Sequence, residues 1–185
     1  MTLAYSEPSP IVDQYELQSA QTLQDIHSVS AAILDRYEIS HAVLLYMPLP
    51  THSMTLPLLP VAPELKKILS QAVQTNAHPA VTSSRQFGRP RALSDFATSV
   101  VDEPVLTQLM TAFRKAGMRQ VYELPLVPRQ RVRFVLELAR IDQPISDFEL
   151  AQLQSLASII PSKLPEFLIH PSNNSTFIQT DFQVR

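Results

Sequence analysis

The chain has 185 residues, 15 basic and 17 acidic side chains, a formal net charge of −2 and 45% hydrophobic residues. That is enough for one domain with a sizeable core, and it fits neither disorder nor a polyanion-seeking surface. The absence of cysteine excludes disulfides, thiolate metal sites and cysteine nucleophiles, and two glycines against sixteen prolines exclude glycine-rich phosphate loops.

Residues 1–10 carry Pro8 and Pro10 but neither a basic start nor an apolar run, so a flexible lead-in without a secretory signal is expected. No stretch approaches the roughly 18–20 unbroken apolar residues of a membrane span, and a soluble, cytoplasmic protein is expected. From Asp13 to Tyr37, residues Leu17, Ala20, Leu23, Ile26, Ile33, Leu34 and Tyr37 recur near helical spacing. They predict one long amphipathic helix, with Ser28-Val29-Ser30 the place for a break. His41 to Met47 is a short apolar run closed by Pro48 and Pro50, the pattern of a central strand covered on both faces. Met54 to Leu59, interrupted by Pro57, reads as a short edge strand.

Pro63 opens a second helix in the first-turn position that proline favours, with Leu65, Ile68, Leu69, Ala72 and Val73 on its buried side. It ends before His78-Pro79, because a residue preceding proline is pushed out of the helical region. Thr82 to Pro90 reads as an irregular connection and Arg91 to Phe96 as a short extended piece. Asp102 is placed to cap a third helix with Pro104 in its first turn, Leu106, Leu109, Met110 and Phe113 inside, and Gly117 as a left-handed stop.

The clearest periodicity follows. Tyr122, Leu124 and Leu126, then Val132, Phe134, Leu136 and Leu138, alternate with Arg131, Arg133, Val135 and Glu137 around Pro128-Arg129-Gln130. This predicts an antiparallel hairpin with one buried face. Ser146 and Glu149 form a capping box, and Phe148, Leu150, Leu153, Leu156, Ala157 and Ile160 predict an amphipathic helix that ends near Pro161. The order of elements gives an α+β fold: a small antiparallel sheet with helices on its faces and room for a pocket beneath the middle helices.

From about His41 to Lys163 the chain resembles the autoinducer-binding domain of LuxR-type quorum-sensing regulators. The resemblance rests on the opening strand His41 to Tyr46, on Ala77-His78-Pro79-Ala80-Val81 where the family has Asp-Pro-Val, and on Ala92-Leu93-Ser94-Asp95-Phe96, similar to its tryptophan-bearing segment. It continues through Phe113 to Met118, Tyr122 to Leu126, the hairpin and the Ser146 to Gln154 helix start. It implies a GAF/PAS-like α-β-α sandwich with a central antiparallel sheet, a sensory domain over residues 11–165 and a tail over 166–185. It also implies a non-enzymatic module that binds a small apolar or acylated signal, pairs with itself or a related regulator, and modulates transcription. No counterpart of the family's helix-turn-helix is expected in residues 166–185.

The departures bear on the ligand. The family holds an acyl-homoserine lactone with a tryptophan and a tyrosine on the second helix, the aspartate before proline and a further tryptophan. This chain has no tryptophan, presents Leu65 and Leu69 on that helix, and carries His78 before Pro79. A site lacking the carboxylate that receives an amide N–H loses discrimination for that amide.

His78 has two readings: a contact to a ligand headgroup, or a residue that caps or is exposed in the turn before proline. Tyr46, Met47, Phe96, Phe113, Met118 and Tyr122 serve a pocket lining and a filled core equally. With Leu65, Leu69, His78, Leu93 and Leu124, residues Tyr46, Phe96, Phe113 and Tyr122 make up the candidate ligand site. No catalytic residue or cofactor is expected, since no nucleophile with an adjacent base and no spaced carboxylate pair stands out, and no metal ligand, because His27, His41, His52 and His170 show no paired ligand spacing. The basic residues between Arg85 and Arg133 are read as a solvated surface, with no direct nucleic-acid or membrane partner. Two other classes stay open: a dimerising interaction protein that blocks a full-length regulator, and an enzyme on a GAF-like scaffold.

Overall fold

The computed structural model describes residues 8–48, 53–83, 88–96, 103–129 and 132–165. In chain order these form α1 (Pro10–Ser19), α2 (Leu23–Arg36), β1 (His41–Pro48), β2 (Met54–Pro57), α3 (Pro63–Gln74), α4 (Pro79–Ser83) and β3 (Arg91–Ala92). After a 3₁₀ turn at Leu93–Phe96 come α5 (Glu103–Lys115), β4 (Val121–Pro125), β5 (Val132–Ala139), α6 (Asp147–Ala157) and α7 (Ile160–Lys163).

The five strands form one antiparallel sheet in the order β2-β1-β5-β4-β3. The long strands β1 and β5 lie inside it, and side chains alternate between two buried faces. Even-numbered residues of β1 and β5, such as Leu44, Tyr46, Phe134 and Leu136, pack with Leu17, Ile26, Ile33, Leu34, Leu150, Leu153 and Leu156 of α1, α2 and α6. Odd-numbered ones, such as Val43, Leu45 and Val135, pack with Leu65, Leu69 and Val73 of α3 and Leu106, Leu109 and Phe113 of α5. The result is an α-β-α sandwich with a helical layer on each side of the sheet.

Several expectations are corrected in detail. The first helix is two, and the break falls at Ala20 to Thr22 rather than at residues 28–30. Thr22 caps α2 by accepting from the Asp25 N–H at 3.0 Å, while the Asp25 carboxylate accepts from the Thr22 N–H at 2.9 Å. A capping box with aspartate in place of glutamate is a start signal inside an otherwise helical pattern. The extended piece from Arg91 covers only two residues before the 3₁₀ turn, and the connection after Pro79 begins as a helical turn. Phe148 is 72% exposed, because its place in the first turn of α6 lies away from the stripe through Leu150 and Leu153. The helical turn of α7 continues past Ile160, with Pro161 at a tolerated first-turn position. Gly117 does adopt φ +83 at the end of α5. The Asp102 cap, residues 1–7 of the lead-in expected over 1–10 and the tail 166–185 lie outside the described residues, and Pro10, expected to discourage structure, instead opens α1.

One ion pair ties three elements together. The buried Arg140 guanidinium donates to the Tyr37 carbonyl at 2.6 and 2.9 Å and to the Glu149 carboxylate at 2.5 Å, joining the ends of α2 and β5 to the start of α6. Hydrogen bonding from Arg140 leads the causes that hold Glu149 down at about 2, below its usual 4.5. A carboxylate with a depressed folded-state pKa contributes stability that is fully present above its unfolded value and is lost as pH falls through the folded one. The urea midpoint is therefore expected to drop between pH 4.5 and 2 more steeply in the native chain than in Glu149→Gln. Parallel profiles would show that the pair contributes nothing.

Candidate functional site

Among the buried described residues, the sheet face beneath α3 and α5 is apolar except at one place. His41 on β1, Glu123 on β4, Glu137 on β5 and His78, just before α4, meet there with exposures of 1%, 3%, 0% and 0%. The backbone dictates the meeting: odd-numbered strand residues face this layer, and Glu123 and Glu137 are direct cross-strand partners. Helix α3 ends at Gln74, stopped by Asn76 in the left-handed region (φ +56) rather than by Pro79, and the turn that follows, with the His78 N–H donating to the Ala72 carbonyl at 3.0 Å, buries the His78 ring.

Glu137 is the hub. Its Oε1 lies 2.9 Å from His41 Nε2 and its Oε2 lies 2.9 Å from His78 Nε2. His78 Nδ1 accepts from the Ala80 N–H at 3.1 Å, which places the imidazole proton on Nε2 and directs it to Glu137. Glu123 Oε1 stands 3.6 Å from His78 Nδ1, too far for a hydrogen bond, and has no hydrogen-bond partner. The His41 ring meets Phe113 edge-on at 5.0 Å and 78°.

Burial and pairing pull the two carboxyls apart. Burial raises Glu137, but the hydrogen bonds from His41 and His78 outweigh it and hold the group at about 2. Burial raises Glu123, the nearby His78 and the Ala80 N–H offset only part of it while the Glu137 charge adds to it, and the group is pushed up to about 7. Burial lowers His78, yet its hydrogen bond to Glu137 and the charges of both carboxylates leave it raised. The cluster is thus one firmly ionised carboxylate held by two imidazoles, beside a second carboxyl with an unused oxygen.

Of the residues expected from sequence, Leu65, Leu69, His78, Leu93 and Phe113 come together on this face. Tyr46, Tyr122 and Leu124 do not; they belong to the opposite layer, where Tyr46 stacks on Phe134 at 6.3 Å. Strand parity separates the two sets, so one pocket cannot be lined by both. The backbone of Phe96 lies in the 3₁₀ turn, and its side chain is outside the described residues. His78 caps α4 through Nδ1, as one of its two readings holds, but it is fully buried rather than exposed. The sequence reading misses His41, Glu123 and Glu137. Their signal was weak but present: Val135 and Ala139 share a face with Glu137, so the apparently polar side of that strand is half apolar.

A two-layered helical sandwich around an antiparallel sheet, with polar groups held beneath the middle helices, defines a GAF/PAS-like architecture. No protein-family model matches the chain, and no curated protein does. Solved structures do. CepR2 from Burkholderia cenocepacia, an N-acylhomoserine lactone dependent LuxR family transcription factor, superposes with a TM-score of 0.60 at 16% identity, over 88% of this chain and 96% of its own. SdiA of Escherichia coli gives 0.64 at 15% identity, over 90% of this chain and 72% of its own. The LBD domain of VqsR from Pseudomonas aeruginosa gives 0.55 at 14% identity, over 83% and 91%. The chain has the fold of these LuxR-type domains.

Proposed function

We propose that this chain is a non-enzymatic, ligand-sensing regulatory domain that takes a small apolar or acylated signal between the sheet and the layer of α3 and α5. The buried polar cluster in an otherwise apolar layer carries the reading. Leucines at 65, 69 and 93 would meet the apolar part of a ligand, and His78 and Glu137 its polar head. The fold shared with a lactone-dependent transcription factor supports it. An acyl-homoserine lactone, whose amide donates one N–H, would have to use Glu137 or Glu123 as acceptor, since His78 stands where the resemblance places the aspartate.

Binding to the folded state alone stabilises it by about 2.7 kcal/mol at a hundredfold excess over Kd. For a domain of this size that is a rise of roughly 5–10 °C in unfolding midpoint. Thermal unfolding against acyl-homoserine lactones, fatty acids and aromatic metabolites is expected to give such a rise with one class, reduced in His78→Gln. No shift with any class, from a cooperatively folded protein, would overturn the reading.

A second reading is favoured by a separate observation. Ile11, Val12 and Tyr15 on α1 are 84%, 52% and 72% exposed, an apolar patch on one helix. Such a patch fits a cytoplasmic module that pairs with itself or with a related regulator. Sedimentation that is concentration-dependent in the native chain and monomeric in Ile11→Lys/Tyr15→Lys would support pairing through α1, whereas a monomer at all concentrations would count against self-pairing.

A further inference from the structure

The two carboxylates of the buried cluster pose a charge problem. Glu123 and Glu137 are direct partners across β4 and β5, at 3% and 0% exposure. Like charges placed opposite each other on neighbouring strands destabilise a sheet, and buried carboxylates persist when they are paired or bound to metal. The two imidazoles hydrogen-bond to Glu137, whereas Glu123 Oε1 stands 3.6 Å from His78 Nδ1 without a hydrogen-bond partner.

We propose that His78, Glu123 and Glu137 form a binding site for a divalent transition-metal ion of the zinc class, with His41 orienting Glu137 from outside the site. One ligand atom from each of the three residues lies within 4.8 Å of the others. Glu123 Oε1 lies 3.6 Å from His78 Nδ1 and Glu137 Oε2 2.9 Å from His78 Nε2, so the two carboxylates meet opposite nitrogens of one ring, and the imidazole turns for a single nitrogen to share the ion with both. One imidazole and two carboxylates suit zinc, whereas calcium takes six to eight oxygens and magnesium keeps an octahedral oxygen shell. A dication also neutralises the two carboxylates, removing the like-charge opposition. His41 Nε2 at 2.9 Å from Glu137 Oε1 fixes that carboxylate as an outer-shell partner does. The Ala80 N–H that now meets His78 Nδ1 also reaches the Glu123 carboxyl, so it keeps an acceptor when the imidazole turns to the metal.

The site shares His78 and Glu137 with the proposed contact to a signal's polar head, but its test uses no signal molecule, so the two readings fail separately. Chelator-treated full-length chain is titrated with Zn²⁺ against a chromophoric competitor, with thermal unfolding alongside and Mg²⁺ as a control. The expected result is one tight equivalent of Zn²⁺, a rise in midpoint and no response to Mg²⁺. Glu123→Gln, which keeps the side-chain volume, is expected to fold without metal as well as the native chain and to bind Zn²⁺ at least about 100-fold more weakly. His78→Gln tests the second ligand in the same way. No bound equivalent, or unchanged affinity in both variants, would overturn the proposal. A positive zinc result with a negative ligand panel, or the reverse, separates this site from the sensing function.

Discussion

Glu137→Ala is expected to lower the unfolding free energy by about 3–5 kcal/mol in the presence of chelator, the usual cost of removing one partner from a buried charged network. The substitution strips the acceptor from both His41 and His78, and neither ring has water to replace it, at 1% and 0% exposure. Domains of this kind have about 5–15 kcal/mol of stability in total, so the loss takes a large share. Glu137→Gln keeps the volume and one acceptor oxygen, and is expected to cost less than the alanine. Urea unfolding of the three proteins checks this ranking. A loss below about 1 kcal/mol in Glu137→Ala would mean that the imidazoles find other partners and that the cluster does not organise this face.

The second large effect is at Phe113. Its ring is fully buried between α5 and the sheet and makes an edge-on contact with His41. Phe113→Ala removes the largest buried side chain of this layer and leaves a cavity beside the polar cluster. Aromatic-to-alanine changes in cores cost about 3–5 kcal/mol, the spread reflecting how far the surroundings collapse. Phe113→Leu, which keeps most of the volume, is expected to lose a smaller part. Equal and small losses in both variants would show that this layer is loosely filled rather than packed around the ring.

The fold was legible where local chemistry and periodicity agreed. The Ser146-Glu149 capping box, the two prolines that open α3 and close β1, and the alternation of Val132 to Leu138 each mark an element that the structure contains. Where sequence and structure differ, a local signal interrupts a longer pattern. Thr22 and Asp25 sit inside a long helical pattern, and only their side-chain bonds to the backbone reveal the break between α1 and α2.

The candidate site was half legible, for a physical reason. His78 stands out because it precedes proline, and Leu65, Leu69 and Phe113 follow from helical spacing. The alternation predicts an outward-facing Glu137, because alternation alone cannot tell a solvated face from one covered by a second helical layer. His41, Glu123 and Glu137 come from three strands separated by 82 and 14 positions (123 minus 41; 137 minus 123), and only the register β1-β5-β4 brings them together. The same register puts Tyr46 and Leu124 on the opposite face, which a list of apolar residues does not show.

The central claim is that a signal molecule binds between the sheet and α3/α5, and its most direct test is methyl NMR. Protein labelled at leucine and valine methyls is titrated with short-chain and long-chain acyl-homoserine lactones and fatty acids. Saturable shifts at Val43, Leu45, Leu65 and Leu69, with Leu44, Leu136 and Leu153 on the other face unmoved at first order, are the result predicted. Shifts confined to the opposite face, or none with any compound at millimolar concentration, would contradict the account.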